Sequence, residues 1–263
     1  MALFASNTGG LASSVATLFI NSLLDSQQGE NLTNFKCYLE TGAIRGAKHM
    51  EITAVNLQNW IKPFHSLNNN FVYIYNGTLF TLGLDTSIYY TVPADIVAEL
   101  NANFVSAGQN VVVDYNNQTN LLTFTTPGGT TFQAVGHFDT SVTIANRANL
   151  KLGLINTVQP VANGSTVSAD IPLRILNNCI HIGTNLLFSG VQPSNLNLSN
   201  LTFKVPINVG LGESINFVPS TDQIFDLQTP VIDAIQFQIY DENFLNPNEL
   251  IQSSIGIEVH FTN

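Results

Sequence analysis

Ile255-Gly-Ile-Glu-Val-His-Phe-Thr262 alternates apolar and polar residues without a break. Successive strand side chains point to opposite faces. This period of two therefore sends Ile255, Ile257, Val259 and Phe261 into a core and turns Glu258 and His260 away from it. Two earlier stretches carry the same beat. Ile235, Phe237 and Ile239 alternate with Gln236, Gln238 and Tyr240, and Leu201, Phe203, Val205 and Ile207 with Thr202, Lys204 and Pro206. Three such runs, rich in β-branched residues and Phe and parted by polar loops, predict antiparallel strands of a sandwich.

Upstream, Phe35, Cys37 and Leu39 open the first predicted strand, and Met50, Ile52, Ala54 and Leu57 the second. Residues 71–75 and 79–84 flank Asn76-Gly77, which supplies the positive φ angles of a two-residue hairpin turn. Residues 88–92 complete this group. Then the texture changes. Pro93, Asp95 and Glu99, with Ile96, Val97, Leu100 and Phe104 on one face, predict an amphipathic helix that Gly108 stops. A three-stranded meander follows at 111–115, 121–126 and 132–135, and the β pattern resumes with 171–182 as one long strand.

The expected fold is all-β: an eight-stranded antiparallel jelly-roll β-sandwich with a small α+β insertion, one helix plus a three-stranded meander. Its parts are an N-terminal arm (1–30), the first jelly-roll half (31–92), the insertion (93–160) and the second half (161–263). Within the arm, residues 13–24 read equally as extended chain or as a short helix. A jelly roll pairs its strands in nested fashion, first with last and so on inward. That scheme sets 35–39 beside 255–261 and 50–57 beside 235–240, with the insertion at the middle crossover. An immunoglobulin-like sandwich is the other arrangement, but it offers no equally natural place for a large central insertion.

With 44% hydrophobic residues and 17 Phe, the 263-residue chain can fill a sizeable core. Charged residues are 10% of the chain, against about 25% in an ordinary soluble domain. A neutral hydrogen-bonding surface suits packing against neighbours, because few ions need desolvating there. A net charge of −10, with eight Lys plus Arg, leaves no basic cluster to replace phosphate counterions, so no nucleic-acid partner is expected. The apolar run 11–24 is broken by Ser, Thr and Asn and lacks a basic flank, so neither a membrane span nor a signal peptide is expected. After Lys204 every charge is acidic: Glu213, Asp222, Asp226, Asp233, Asp241, Glu242, Glu249 and Glu258. Such a region is a solvated edge, or a docking surface for a basic partner or a divalent cation.

Cys37 and Cys179 read as small buried thiols and not as a disulfide scaffold. Of the five histidines (His49, His65, His137, His181 and His260), His181 comes nearest to a cupin-type metal set. Cys179-Ile180-His181 offers two alternate strand positions and no third, so no metal and no cofactor is expected. There is no nucleophile elbow and no phosphate loop, and Gly210-Leu211-Gly212 leads into a strand as a turn. Asp241 and Glu242 are adjacent, which turns them to opposite faces and makes a poor acid/base pair. With Asn243 they read as a loop at a strand end, the candidate interface loop Asp241, Glu242, Asn243. Trp60, Tyr73, Tyr75, Tyr89 and Tyr90 suit either a sugar-stacking platform or core packing. The chain is not expected to be an enzyme.

Leu201-Thr-Phe-Lys-Val-Pro-Ile207, Gly212-Glu-Ser-Ile-Asn-Phe-Val-Pro219, Ile235-Gln-Phe-Gln-Ile-Tyr-Asp-Glu-Asn243 and the 255–261 strand together resemble a known pattern. It is the C-terminal half of single jelly-roll penton and minor capsid proteins of virophages, Polinton-like viruses and related double-jelly-roll-lineage DNA viruses. Phe19-Ile-Asn-Ser22, Tyr90-Thr-Val-Pro93, Val113-Asp-Tyr115, Leu121-Leu-Thr-Phe124 and Lys151-Leu-Gly-Leu154 extend the resemblance towards the N-terminus. One stretch departs from it: Phe-Leu-Asn-Pro-Asn follows Asn243 where a Gly-containing turn is expected. The resemblance implies a structural virion protein, the penton, five copies of which form a pentamer at an icosahedral capsid vertex beside the major capsid protein. The insertion would project outward and the arm would contact neighbours, in a virion assembled inside the host cell. A minor or cement capsid protein, a receptor-binding spike head and a carbohydrate-binding jelly-roll module are the alternatives.

Overall fold

The computed structural model describes residues 14–22, 31–39, 43–157, 161–162, 165–186, 188, 201–220, 224–229 and 231–263. Four strands come first: β1 (Ser14–Asn21), β2 (Asn34–Tyr38), β3 (Ile44–Arg45) and β4 (His49–Gln58). A contiguous segment then holds β5 (Asn70–Tyr75), β6 (Thr78–Gly83), helix α1 (Pro93–Ser106), β7 (Val112–Asn116), β8 (Leu121–Thr125), β9 (Thr131–Ala134), β10 (Val161–Ala162) and β11 (Thr166–Ser168). The remainder holds β12 (Cys179–Thr184), β13 (Leu201–Pro206), β14 (Ser214–Phe217), β15 (Ile224–Asp226), β16 (Val231–Ile232), β17 (Ala234–Tyr240) and β18 (Ile255–Thr262). Two compact units result, Met1–Ile61 with Asn177–Asn263, and Lys62–Leu176.

The first unit is an antiparallel jelly roll. One sheet runs β1-β18-β4-β14, with β15 continuing the β14 position along β4, and the other runs β13-β12-β17-β2. Nested pairing holds: β1 with β18, β2 with β17, β4 with β14 and β15, β12 with β13. The period-two faces meet in one core. Leu18, Met50, Ile52, Ile257, Val259 and Phe261 come from one sheet, and Phe35, Ile180, Ile182, Val205, Phe237 and Ile239 from the other. Phe35 stacks on Phe237 at 5.5 Å between ring centroids. In β4 the beat slips between Ile52 and Val55, because a bulge sets Glu258 opposite Ala54 but Val259 opposite Ile52. One extra residue in a strand reverses which faces its side chains take, so Ala54 leaves the core and Val55 enters it.

The pairing partners differ from those expected. The strand at 35–39 lies beside β17 and not beside 255–261, while 50–57 lies beside β18 and not beside 235–240. The cause is β1, part of the expected arm. It is neither arm nor helix but the first strand of the roll, and it moves every nested pair by one. Residues 1–13 and 23–30 of that arm lie outside the described residues. Among the described residues three roll strands therefore precede the inserted unit and five follow it, so it interrupts the third-to-fourth connection and not the middle crossover.

The second unit also begins earlier than expected, at Lys62 instead of 93. The β5–β6 hairpin turns on Asn76 (φ 47°) and Gly77 (φ 76°) as its sequence predicts. Its partner, however, is β9, in a sheet of order β10-β9-β5-β6. Strand periodicity cannot say which sheet a hairpin joins; packing does. Phe71 and Tyr73 sit among Phe104, Phe124 and Phe132, with centroid distances of 5.6 Å for Phe71–Phe124 and 5.7 Å for Tyr73–Phe132. Strands β7, β8 and β9 are not one meander, since β8 pairs β7 and β11 in a separate sheet of order β11-β8-β7.

Helix α1 forms where expected. Pro93 occupies the first turn, and the Asp95 carboxylate accepts from the backbone N–H groups of Thr91 and Val92. Ile96, Leu100 and Phe104 are buried at a spacing of four, and Gly108 at φ 67° ends the helix.

One predicted strand is absent and another is shortened. In 88–92 the Tyr90 side chain is instead buried, its hydroxyl bonded to Asp85 O at 3.1 Å and to the Glu99 carboxylate. In 171–178 the backbone donors go to scattered acceptors. Ile171 N–H reaches Gly153 O, Leu173 N–H reaches Asn120 O and Arg174 N–H reaches Lys151 O, so only 179–182 of that run belongs to a strand.

Candidate functional site

Among the described residues no three His, Cys, Asp or Glu side chains come together, and no helix is long and apolar enough to cross a membrane. The histidines are dispersed. His49 Nδ1 lies 2.9 Å from Asp226, His260 Nε2 lies 3.0 Å from Glu258, and His65 Nδ1 accepts Leu67 N–H at 3.3 Å. Cys37 and Cys179 are buried and form no disulfide. Cys179 Sγ is 3.6 Å from His181 Nε2.

The acidic residues after Lys204 do not gather either. Glu213 accepts Gly210 N–H at 2.7 Å, Asp226 and Glu258 face histidines, and Glu242 accepts from both the backbone and the side chain of Asn178. Asp222 lies outside the described residues. Carboxylates distributed this way stabilise separate turns and ladders, and among the described residues they do not present one cation-binding cluster.

The candidate interface loop follows β17. Asp241 is fully buried, so this member of the expected interface loop does not itself face outward. Its Oδ1 accepts the N–H groups of Asn243 and Leu245, both at 2.8 Å. Where a glycine was expected, Phe244 itself takes the left-handed conformation at φ 62° and lays its ring on His181, 4.2 Å between centroids. Asn246 closes the loop by donating to Thr33 O at 2.9 Å and Ile239 O at 2.5 Å. Glu242 and Asn243, like Phe244, Leu245 and Asn246, are partly exposed, so Asp241 is the inner member of the loop. Asp241→Ala leaves two backbone donors without their charged acceptor and should cost about 3 kcal/mol, a melting temperature lower by roughly 6–12 °C. Asp241→Asn keeps an oxygen at that position and should retain most of the stability. Thermal melts of the two variants check this.

The stack over His181 has a pH consequence. Burial, and then Lys204 across the ladder, hold His181 below the ordinary histidine range, with Asp241 and Glu242 pulling the other way. Burial and then Arg147 lower His137 likewise. When unfolded, both histidines take up a proton near their ordinary 6.5, so below that pH the unfolded chain binds more protons than the folded one. Stability from these groups is complete above about pH 6.5 and is lost as the pH falls towards their folded values. Melting temperature should fall between pH 7 and pH 5, and more shallowly in His181→Gln.

Of the two readings of the aromatic side chains, core packing describes Tyr73, Tyr75 and Tyr90. Tyr73 and Tyr90 are core residues, and Tyr75 packs edge-on against Phe80. Trp60, 36% exposed, instead borders a cleft of about 590 Å³ on the outward side of the β1-β18-β4-β14 sheet. Asn21, Asn56 and Asn216 reach this cleft from three strands. No sequence signal singles them out, because Asn is abundant along the chain and only the strand register aligns these three.

No protein-family model matches the sequence, and no curated protein matches it. Among solved structures the chain is similar to the crystal structure of selenomethionine-labelled mavirus penton protein. The TM-score is 0.50 at 12% identity, over 93% of this chain and 98% of that one. The two share a fold. At this identity the likeness concerns architecture.

Proposed function

We propose that this chain is a structural virion protein, a penton whose copies close into a pentamer at icosahedral capsid vertices with the major capsid protein as neighbour. The observation that carries this reading is the likeness in fold to mavirus penton protein over nearly the full length of both chains. The sequence resemblance to single jelly-roll penton and minor capsid proteins agrees with it. So does a surface poor in charge, since ring contacts would strip few ions of water. A ring closes through heterologous contacts, one patch on each copy meeting a different patch on the next. On this reading the protein works by assembly, without catalytic groups, cofactor or nucleic acid, and resides in the capsid. Glu242 and Asn243 would then be contact residues, held from behind by Asp241.

Light scattering of the purified chain, with electron-microscope class averages of the same sample, tests the proposal. Five-fold rings are expected. A stable trimer would overturn it in favour of a spike head. A monomer that also fails to add to purified capsids lacking their vertices would overturn it in favour of a cement protein.

A further inference from the structure

We infer that the cleft beside Trp60 binds a neutral saccharide. The inference does not depend on the pentamer. Strand register sets Asn21 opposite Gly256, Gly256 opposite Asn56, and Asn56 opposite Asn216, one continuous row across four strands. Ile20, Val55, Leu57, Ile215, Ile255 and Ile257, their neighbours in sequence, are buried, so the row lies on the outward face. At its middle Gly256 contributes no side chain. A Cβ there would come no closer than 3.7 Å to Asn56 O, so the missing group leaves a dip and not a steric necessity.

At the end of β4, Trp60 N–H bonds Gln58 O at 2.7 Å and Gln252 N–H bonds Trp60 O at 3.3 Å, which fixes the backbone that carries the indole. Gly212, at φ 80°, makes room for it. A Cβ at 212 would lie 3.2 Å from Trp60 Cζ2, so the indole rests against bare backbone.

The chemistry of the lining selects the ligand. Among the described residues around this cleft none is charged; they are chiefly Asn, Gln and Ser beside the one indole. A phosphate or carboxylate ligand would find no cation there. An apolar peptide would have to desolvate a row of amides that it could not satisfy. A side-chain amide offers a donor and an acceptor side by side, which matches adjacent sugar hydroxyls, and an indole face takes up the C–H face of a sugar ring. The amides of Asn56, Gln58 and Asn216 make no hydrogen bond to any described residue. Asn59, Asn101, Asn149 and Asn246, by contrast, are all committed to backbone groups. The volume of about 590 Å³ lies within the range of small-ligand sites.

Trp60 is the sole tryptophan, so tryptophan emission of the intact chain reports on this cleft alone. The full chain is first applied to an array of neutral and sialylated glycans, and retained glycans are then titrated in solution. The expected result is retention of neutral glycans, an emission change on titration and protection of Trp60 from acrylamide quenching. Asn56→Ala should weaken binding about tenfold, the loss of one hydrogen-bonding contact. Gly256→Val, which fills the dip at an ordinary backbone angle, should abolish binding without lowering the melting temperature. Retention of anionic glycans only, or no emission change at millimolar neutral oligosaccharide, would overturn the inference. So would Gly256→Val changing the oligomeric mass while glycan retention stays intact, which would make the cleft a contact between copies. The mass of the unmodified chain is a separate measurement, so failure of the pentamer proposal would remain distinguishable.

Discussion

Gly153→Ala is expected to prevent folding of the Lys62–Leu176 unit. Gly153 has φ +83°, and a Cβ on it would stand 2.1 Å from Ile171 O and 3.2 Å from Ala169 Cβ. The backbone cannot retreat, because Asp170 N–H and Ile171 N–H both bond Gly153 O, at 2.8 and 3.1 Å. The turn is tied from its other side too, since Leu154 N–H bonds Asn149 O at 2.8 Å and Leu154 O accepts His137 N–H at 2.9 Å. The left-handed angle alone costs an alanine roughly 1–2 kcal/mol. The collision adds a forced separation of two hydrogen-bonded segments, taking the total beyond the ~4–5 kcal/mol that marks an exceptional substitution. Gly108→Ala is the control. Its φ of +67° carries the angular cost, but nothing lies within 4 Å of the added Cβ, so about 1 kcal/mol is expected. Near-UV circular dichroism and thermal melts of both variants separate angle from collision. Equal, mild effects would contradict the close approach at Gly153.

Asn149→Ala should be the second most damaging of the changes considered, at about 3–5 kcal/mol. Strands β5 and β9 pair as far as Tyr73 opposite Ala134, after which the two chains part. Asn149, fully buried, fills the gap with its side-chain amide. Its Oδ1 accepts Val72 N–H at 3.0 Å, and its Nδ2 donates to Val72 O and Val135 O, both at 2.8 Å. One side chain thus replaces a peptide group at the end of a ladder. Alanine leaves one buried donor and two buried acceptors unsatisfied, each costing about 1–3 kcal/mol before relaxation or entering water reduces the sum. Asn149→Asp should be worse, because a carboxylate cannot donate to either carbonyl and would be buried as a charge. Denaturant unfolding of the three proteins tests this order.

The two substitutions mark where sequence reading succeeds and where it stops. Alternation is a local property, so β17, β18 and the hairpin at Asn76-Gly77 were legible, as was α1 from Pro93 to Gly108. The first strand was not. Phe19 points outward and is 47% exposed, so Leu18, Phe19 and Ile20 read as one apolar run and the period of two disappears. Missing it displaced every pairing partner, although the nested rule itself holds. In 171–178, side chains alternate suitably while the backbone donors serve three separate turns, and no residue pattern records where an N–H will go. A turn after β17 was legible, but neither the burial of Asp241 nor the left-handed angle of Phe244, where a glycine was expected, could be read from the residues. Asn149 is one asparagine among many. Its role exists only where two strands diverge.

The ladder between β1 and β18 sets a condition on how the protein is made. Leu18 pairs with Val259, and β18 also supplies the other neighbour of β4. At about 5–20 residues per second of synthesis, β1 waits on the order of tens of seconds on the ribosome before the strand it needs has been polymerised. Until then β1 and β4 present unpaired edges, while the Lys62–Leu176 segment, continuous in sequence, has all its own partners as soon as Leu176 has been added. The roll therefore closes only after translation of its last strand. A message truncated before Ile255 would yield a chain whose inserted unit is complete and whose sandwich cannot form.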